Sequence, residues 1–248
     1  MSHHYIDFKN VTYRYANGVK ALDNVSFHIS HGEKVALLGR NGAGKSTLLQ
    51  LTDGLLLPQE GEVNVGGVPV TRKTLGHVRQ TVGMVFQDPD DQLFMPTVGE
   101  DVAFGPLNMK LPKEEVERRV RQALSEVGCL ELEKRSPMHL SGGQKRRVAI
   151  ATVLSMQPSI LVLDEPTSNL DWGARESVAD MINGFMHTCL IASHDIALVK
   201  RVCRRAIVLD GGEVKADCSI EEVFDSDRIL SFIGIKRDSL ADLCICGG

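Results

Sequence analysis

The chain lacks the features of a membrane-embedded or secreted protein. No apolar run approaches the roughly 18 residues that a membrane-spanning helix requires. The N-terminus, MSHHYIDFKN, does not show the basic and then apolar segments of a signal peptide. These absences predict a cytoplasmic protein.

Cysteines are few for a chain of 248 residues, and their spacing is irregular. The six are Cys129, Cys189, Cys203, Cys218, Cys244 and Cys246. A disulfide framework is therefore not expected, because such frameworks belong to small secreted domains. The pair Cys244-Ile-Cys246 has no second pair or nearby histidine, so it is only a weak candidate for a metal site.

An excess of positive charge is also missing. The formal net charge is −4, whereas nucleic-acid-binding domains are typically strongly basic. Hydrophobic residues make up 43% and charged residues 24%, as in ordinary globular proteins. The length allows one large α/β domain, or a core domain with a smaller lobe.

The apolar residues near the N-terminus alternate as in half-buried strands. One such pattern covers residues 6–13 and a second covers residues 25–29, with a turn signal at Ala16-Asn17-Gly18 between them. Residues 35–38 form a short unbroken apolar run, which is typical of a strand buried on both faces. Further strands are predicted at residues 63–65, 82–86, 160–163, 188–192 and 206–209.

The middle of the chain is predicted to form a mostly helical lobe. The stretch LPKEEVERRVRQALSEVG opens with Pro112 and places its valines and Leu124 on one helical face. Arg118, Arg119 and Arg121 are expected on the solvated side of this helix. After the lobe, strands alternate with helices predicted at residues 172–185 and 195–202.

A glycine-rich loop between a buried strand and a helical stretch carries the clearest chemical signal. The segment GRNGAGKS satisfies the pattern G-x-x-x-x-G-K-[ST] in full. Its glycines let consecutive N–H groups point at the α- and β-phosphates of a nucleotide, Lys45 neutralises the β- and γ-phosphates, and Ser46 places its hydroxyl on Mg²⁺. The predicted nucleotide-binding residues of this loop are Gly39, Arg40, Asn41, Gly42, Ala43, Gly44, Lys45, Ser46 and Thr47.

Two consecutive carboxylates follow a second buried strand, in ILVLDEP. Asp164 and Glu165 would lie at the carboxyl edge of the sheet, where open α/β sheets bind their ligands. Asp164 is the candidate for holding Mg²⁺ through its water shell. Glu165 stands where a carboxylate can polarise the water that attacks the γ-phosphate.

Five motifs follow one another along the chain: the phosphate loop, Gln87 in VFQ, LSGGQ, ILVLDEP and Ser193-His194-Asp195. Their order resembles that of the ATP-binding cassette (ABC) transporter ATPases. The resemblance covers roughly residues 5–222. It implies a phosphate-loop NTPase core with a mixed sheet, an N-terminal antiparallel β subdomain and a helical lobe that carries LSGGQ.

The resemblance also implies the domain organisation. A single ABC ATPase domain is expected over residues 1–225, with the core and β subdomain at about 1–88 and 158–225. The helical lobe is expected at about 89–157, and residues 226–248 form a C-terminal tail for which the sequence predicts no role.

Further roles follow from the family pattern. Tyr15 resembles the aromatic residue that stacks on adenine. Gln87 resembles the residue that contacts Mg²⁺ and the attacking water, and His194 the histidine that reaches the γ-phosphate. Asp171 resembles the aspartate that touches the opposite subunit, while Asn169 stands where the family more often has a smaller residue.

In this family the LSGGQ motif serves the nucleotide held by another chain. Two cassettes pack head to tail, and Ser141, Gly142, Gly143 and Gln144 of one chain would close over the ATP bound by Lys45 of the other. The resemblance therefore implies a second ABC ATPase chain, either identical or a paralogue. It leaves open which of the two.

The stretch VFQDPDDQLFMPTVGEDVAFGP resembles the ATPases of energy-coupling-factor importers, especially those for cobalt and nickel. In that group this segment lines a groove for coupling helices of a membrane T component, and a further membrane subunit binds the substrate. The alternative is that the segment only caps the helical lobe. The resemblance implies a peripheral subunit on the cytoplasmic face of the membrane that powers uptake of cobalt, nickel or a vitamin.

A second class of function stays open at this point. Some soluble ABC ATPases act on nucleic acid or ribosomes, but they typically carry tandem cassettes, long coiled-coil insertions or basic surfaces. The interval from Gln87 to Ser141 is too short for a coiled-coil arm, and the net charge is acidic. Nucleic acid is therefore not an expected partner.

Overall fold

The structure is a computed structural model that describes residues 5–238. Within these residues the chain forms two β-sheets and a set of helices. The helices are α1 (Lys45–Thr52), α2 (Leu75–Thr81), α3 (Val98–Asn108), α4 (Lys113–Glu126), α5 (Gly142–Leu154), α6 (Trp172–Gly184), α7 (Ile196–Val202), α8 (Ile220–Asp225) and α9 (Asp227–Ile233). Short 3-10 turns lie at Pro89–Asp91, Leu130–Leu132 and Pro137–His139.

The smaller sheet is antiparallel and is built mainly from the N-terminal part of the chain. Its strands, in the order β2–β1–β4–β5, are Lys20–Ile29, Ile6–Arg14, Glu60–Val65 and Val68–Pro69. Buried and outward residues alternate in parts of β1 and β2, with register shifts after Phe8 and Val11 that interrupt the alternation. The rings of Phe8 and Phe27 stack with centroids 4.6 Å apart. This confirms the predicted antiparallel β subdomain.

The larger sheet has six strands, five of them parallel. In the order β10–β9–β3–β8–β7–β6 they are Glu213–Ser219, Arg205–Asp210, Lys34–Leu38, Thr188–Ala192, Ile160–Asp164 and Val82–Val85. Only β10 runs antiparallel to its neighbour, so the sheet is mixed, as predicted. β3, β8 and β7 are adjacent and parallel, and their carboxyl ends therefore meet at one edge.

Both faces of this sheet are buried because successive side chains of each strand point to opposite sides. Ala36 and Leu38 of β3 pack into one hydrophobic cluster with the helical lobe and α6 to α9. Val35 and Leu37 pack into a second cluster with α1 and the antiparallel sheet. The continuous apolar runs in the sequence reflect this double burial.

The helical lobe consists of α3, α4 and α5. α4 begins after Pro112 and buries Val116, Val120 and Leu124, as its periodicity predicts. The expectation that its arginines are solvated is wrong for Arg119. That side chain is largely buried and donates to Glu115 and to the carbonyl of Met156, because α4 packs against the end of α5.

The C-terminal elements have weak sequence signals. β10 is an edge strand with mixed polar side chains, so it lacks the apolar pattern by which the other strands are predicted. α9 buries Leu230 and Ile233 in the same cluster as β9, which places residues 227–233 on the core. Cys244 and Cys246 lie outside the described residues, within which Cys129, Cys189, Cys203 and Cys218 are free thiols.

No helix between residues 5 and 238 combines the length and hydropathy needed to cross a bilayer. The longest, α4, is strongly amphipathic and has 14 residues.

Candidate nucleotide-binding site

The phosphate loop lies between β3 and α1 and is shaped by glycines that no other residue can replace. Gly39 and Gly44 have positive φ angles of 152° and 104°. A Cβ would lie 2.3 Å from the Leu209 carbonyl oxygen at Gly39 and 2.5 Å from the Ala21 carbonyl oxygen at Gly44. The loop is therefore packed closely against two strands, with a backbone conformation that favours glycine at both positions.

Lys45 is the first residue of α1, and its side chain folds back over the loop. Its Nζ donates to the carbonyl oxygens of Gly39, at 2.8 Å, and Arg40, at 3.2 Å. Burial lowers the pKa of Lys45, while the negative charges of Glu165 and Asp164 act in the opposite direction. The buried Lys45 cation therefore lies where a nucleotide phosphate would take the place of the two carbonyl oxygens as its partner.

Asp164 ends β7 beside the first turn of α1 and is only 5% exposed. Burial raises its pKa, and this effect is opposed by a hydrogen bond from the Ser46 hydroxyl and by the charge of Lys45. A hydroxyl and a carboxylate form the hard oxygen environment that Mg²⁺ prefers. These two residues therefore fit a magnesium ion.

Glu165 adopts a left-handed backbone conformation, with φ 49°. Its N–H donates to the carbonyl oxygen of Ala192 on β8, and its Oε2 accepts from the His194 N–H at 3.2 Å and the Ser193 hydroxyl at 3.5 Å. Its Oε1 is buried and has no hydrogen-bond partner within residues 5–238. One carboxylate oxygen is thus held by two hydrogen-bond donors, while the other accepts no hydrogen bond in the described residues.

His194 joins the phosphate loop to this carboxylate. Its Nε2 lies 3.1 Å from Asn41 Oδ1, 3.4 Å from Lys45 Nζ and 3.5 Å from Glu165 Oε1. The position follows from β8, which ends at Ala192 next to β3 and β7. Three strand ends therefore deliver the loop, the carboxylates and the histidine to one place.

A cavity of about 560 Å³ opens at this edge of the sheet. It brings together most of the residues predicted from the phosphate loop and from the acidic pair after β7. Gln87 and His194 also line it. It is lined by Asn41, Gly42, Gly44, Lys45, Ser46, Gln87, Asp164, Glu165, Ser168 and His194. A basic loop facing two buried carboxylates suits a polyphosphate with its counter-cation.

Comparison with known proteins decides the family. The sequence pattern of the ABC transporter family matches residues 22–168, which contain the phosphate loop, LSGGQ and both carboxylates. The chain belongs to the ABC transporter ATPases. It hydrolyses ATP, and this hydrolysis is coupled to transport.

Relatives of this ABC ATPase align over nearly all of its length. A Geobacter sulfurreducens protein described as an ABC transporter ATP-binding protein is 53% identical over 248 residues, which is 100% of each chain. The energy-coupling factor transporter ATP-binding protein EcfA of Methanocaldococcus jannaschii is 44% identical over 243 residues, covering 96% of this chain and 87% of that protein.

Solved structures show the same fold. The ABC ATPase is similar to cbiO1 from Clostridium perfringens, described as part of the ABC transporter complex cbiONQ, with 37% identity and a TM-score of 0.80 over 97% of this chain and 98% of that one. It is also similar to the cassette MJ0796, whose dimer was solved in a post-hydrolysis state with ADP and phosphate. Here the identity is 32% and the TM-score 0.79, over 87% of this chain and 98% of that one.

The predicted adenine-stacking residue of the ABC ATPase lies next to the phosphate-loop helix. The hydroxyl of Tyr15 is 2.9 Å from Thr47 Oγ1, and its ring meets Tyr13 edge to face at 5.2 Å. The Tyr15 side chain is partly exposed. The stacking role itself stays a prediction.

The LSGGQ residues do not line the cavity of their own chain. Ser141 caps α5 through a reciprocal pair of hydrogen bonds with Gln144. Gly142 faces open space, since a Cβ there would meet nothing within 4 Å. Asp171 likewise lies outside the cavity, where it caps α6 by accepting from the Ala174 N–H.

Arg146 is a site residue that the motifs did not predict. It is 3% exposed and lines a second cavity of about 440 Å³ together with Ser46, Gln87 and Asp164. The available signal was helical periodicity, because Arg146 shares the buried face of α5 with Ala149, Ile150 and Val153.

Proposed function

We propose that the chain is the nucleotide-binding subunit of an energy-coupling-factor importer. It acts as a head-to-tail dimer on the cytoplasmic face of the cell membrane and powers solute uptake through separate membrane subunits. The observation that carries this proposal is a groove lined by residues of the segment VFQDPDDQLFMPTVGEDVAFGP. Similarity to an EcfA protein supports it.

The groove has a volume of about 560 Å³ and lies between α2, α3 and α5. Phe94 and Phe104 stand exposed at this groove and meet edge to face at 5.0 Å. Asp101 holds the segment in place, because its Oδ1 accepts from the N–H groups of Phe94 and Met95, both at 3.0 Å. The groove thus presents a fixed aromatic pair to a partner.

The occupant is a coupling helix of a membrane T component. Val98 and Val102 of the same segment are buried in the core, so one side of α3 supports the lobe while the other lines the groove. Exposed aromatic residues beside a concave surface are typical anchors of a helix-in-groove interface.

The transported solute is a cobalt or nickel ion, or otherwise a vitamin. Support comes from the resemblance of the groove segment to cobalt and nickel importers and from the similarity to cbiO1. In this arrangement a membrane subunit selects the solute, and the ATPase supplies only the motion.

Catalysis in the dimer uses the phosphate loop and carboxylates of one chain and the LSGGQ residues of the other. Lys45 and the loop N–H groups hold the phosphates, and Gln87 orients the attacking water. Glu165 accepts a proton from that water through its free Oε1, as the bond to the γ-phosphorus forms and the bond to the leaving ADP oxygen breaks. Ser46 and Asp164 would hold Mg²⁺, which would neutralise negative charge on the phosphates.

Removing an aromatic anchor should release the membrane partner without affecting ATP hydrolysis by the isolated chain. Phe104→Glu places a charge in the groove, and truncating an interface anchor costs about 2 kcal/mol or more, which is about 30-fold or more in affinity. Co-purification of the chain with membrane subunits from detergent-solubilised membranes measures the loss.

Leu130→Glu is the matched control for this experiment. Leu130 is 44% exposed and Phe104 is 43% exposed, but Leu130 does not line the groove. Equal retention of the membrane subunits by both variants would contradict the docking assignment. Recovery of the wild-type chain with nucleic acid or ribosomes instead of membranes would favour the alternative class of ABC ATPase.

The shared site is tested by mixing two inactive variants. Ser141→Arg blocks the LSGGQ end of α5, and Lys45→Ala disables the phosphate loop. A mixed dimer carries one composite site from two unmodified halves, so hydrolysis should recover above that of either variant alone. Absence of recovery, when differently tagged chains are shown to pair, would contradict the head-to-tail geometry.

A further inference from the structure

A buried arginine ties the signature helix to the Gln87 segment of the same chain. Arg146 lies in the second turn of α5, and its guanidinium donates to the carbonyl oxygens of Phe86, at 2.6 Å, and Gln87. The two partners are 60 and 59 residues away along the chain. Arg146 therefore binds the backbone at the point where Gln87 enters the nucleotide cavity.

Other side chains extend this contact along one face of α5. Gln92 accepts from the Phe86 N–H and donates to the Ala149 carbonyl oxygen, at 2.8 Å, and to Thr152 Oγ1, at 2.7 Å. At the other end, Lys145 pairs with Asp90 at 2.6 Å. Residues 86–92 are thus held against α5 along about two helical turns, from Lys145 to Thr152.

Burying the charge of Arg146 lowers the stability of the fold, so a purely stabilising role does not explain the residue. Within residues 5–238, no carboxylate forms an ion pair with it, and its buried Nε has no hydrogen-bond partner. Buried charges without a paired counter-charge are destabilising. Its attraction to Asp88, Asp164 and Glu165, the last two in the nucleotide cavity, partly compensates.

We propose that Arg146 is a positioning residue that makes the α5 N-terminus and Gln87 move as one body. This inference rests on the proposed head-to-tail dimer, in which the α5 N-terminus engages the partner's nucleotide and Gln87 faces the chain's own. Closing α5 over one ATP therefore presents Gln87 to the other. Arg146 links the two ATP sites through a single chain.

Arg147 provides a matched control on the neighbouring position. Its guanidinium also donates to two carbonyl oxygens, those of Val127 and Gly128, both at 3.2 Å, and its Nε is likewise buried without a partner in the described part of the chain. These carbonyls follow α4 and lie away from the Gln87 segment. Replacing either arginine therefore removes similar hydrogen bonds. Only the replacement of Arg146 breaks a connection to the nucleotide cavity.

The test compares Arg146→Gln with Arg147→Gln in the full-length chain. For Arg146→Gln we expect kcat to fall on the order of 10-fold or more, because a small displacement of a positioned group has large effects on rate. The dissociation constant for ATP, measured under non-hydrolysing conditions, should stay unchanged, and the Hill coefficient for ATP should fall toward unity. Arg147→Gln should change none of these values.

Arg146→Lys separates positioning from folding. Lysine keeps a donor that can reach one of the two carbonyls, so this variant should recover part of kcat and of the cooperativity. Thermal unfolding is measured for every variant. If Arg146→Gln does not fold, Arg146→Lys takes its place in the comparison. In that case kcat and the Hill coefficient of Arg146→Lys should lie below those of Arg147→Gln.

Equal kcat and equal Hill coefficients for the Arg146 and Arg147 variants would overturn the inference. The same holds if Arg146→Gln weakens ATP binding while leaving kcat intact. The two proposals fail differently. Without a head-to-tail dimer, the Ser141→Arg and Lys45→Ala mixture does not recover activity, whereas an error about Arg146 leaves that recovery intact.

Discussion

Replacing Glu165 with glutamine lowers the kcat of ATP hydrolysis by on the order of 10²-fold or more, while ATP still binds. Glutamine has nearly the same shape and keeps an oxygen that can accept from the His194 N–H, as Oε2 does now at 3.2 Å. The amide cannot take a proton from the attacking water, which is the role assigned to the free Oε1. Phosphate release under saturating ATP measures the effect.

The edge strand β10 offers a matched control for the loss of the Glu165 carboxylate. Glu213→Gln makes the same chemical change at an exposed ion pair with Lys215, and it should leave kcat unaltered. ATP binding measured for both variants separates chemistry from affinity. Near-normal turnover of Glu165→Gln would remove Glu165 from its assigned role.

Lys45→Ala has the second large effect and acts on binding. The Nζ group lies over the phosphate loop, where it now donates to the Gly39 and Arg40 carbonyl oxygens. A hydrogen bond to a charged group contributes about 1.5–3 kcal/mol, and every 1.4 kcal/mol is tenfold, so two lost phosphate contacts weaken ATP binding by about 10²- to 10⁴-fold. Equilibrium binding of ATP, with no hydrolysis, gives the value directly.

Lys215→Ala serves as the control for this loss of charge. Lys215 lies on β10 and pairs only locally with Glu213 in the described structure, so its removal should leave the ATP dissociation constant unchanged. Thermal unfolding of both variants shows whether the phosphate loop remains folded. An unaltered affinity of Lys45→Ala would contradict the phosphate-loop assignment.

Strongly patterned elements could be predicted from the sequence, and weakly patterned ones could not. The alternation in β1 and β2 and the apolar runs of β3, β7 and β8 match the structure because burial of a strand dictates its residue types. β10 and α9 were not predicted. Their positions depend on β9 and the core cluster rather than on their own periodicity.

The nucleotide cavity was predictable to a similar degree. Residues at the carboxyl ends of adjacent parallel strands converge, so Lys45 and Asp164 line one cavity. His194 lines it as well, but only the family resemblance pointed to that residue. Reasoning from a helix pattern was less successful, as Arg119 shows. A helix pattern reports which residues are apolar, but it does not report which neighbouring helix covers a charged side chain.

By itself, the sequence determined the local chemistry of this ABC ATPase. The glycines of the phosphate loop and the acids after β7 follow from backbone geometry and strand length, and both can be read within a few residues. Only the tertiary structure decided that Arg146 holds the Gln87 segment and that Phe94 and Phe104 stand together at a groove. These contacts join elements far apart in the chain, and their geometry is set by how the helices pack.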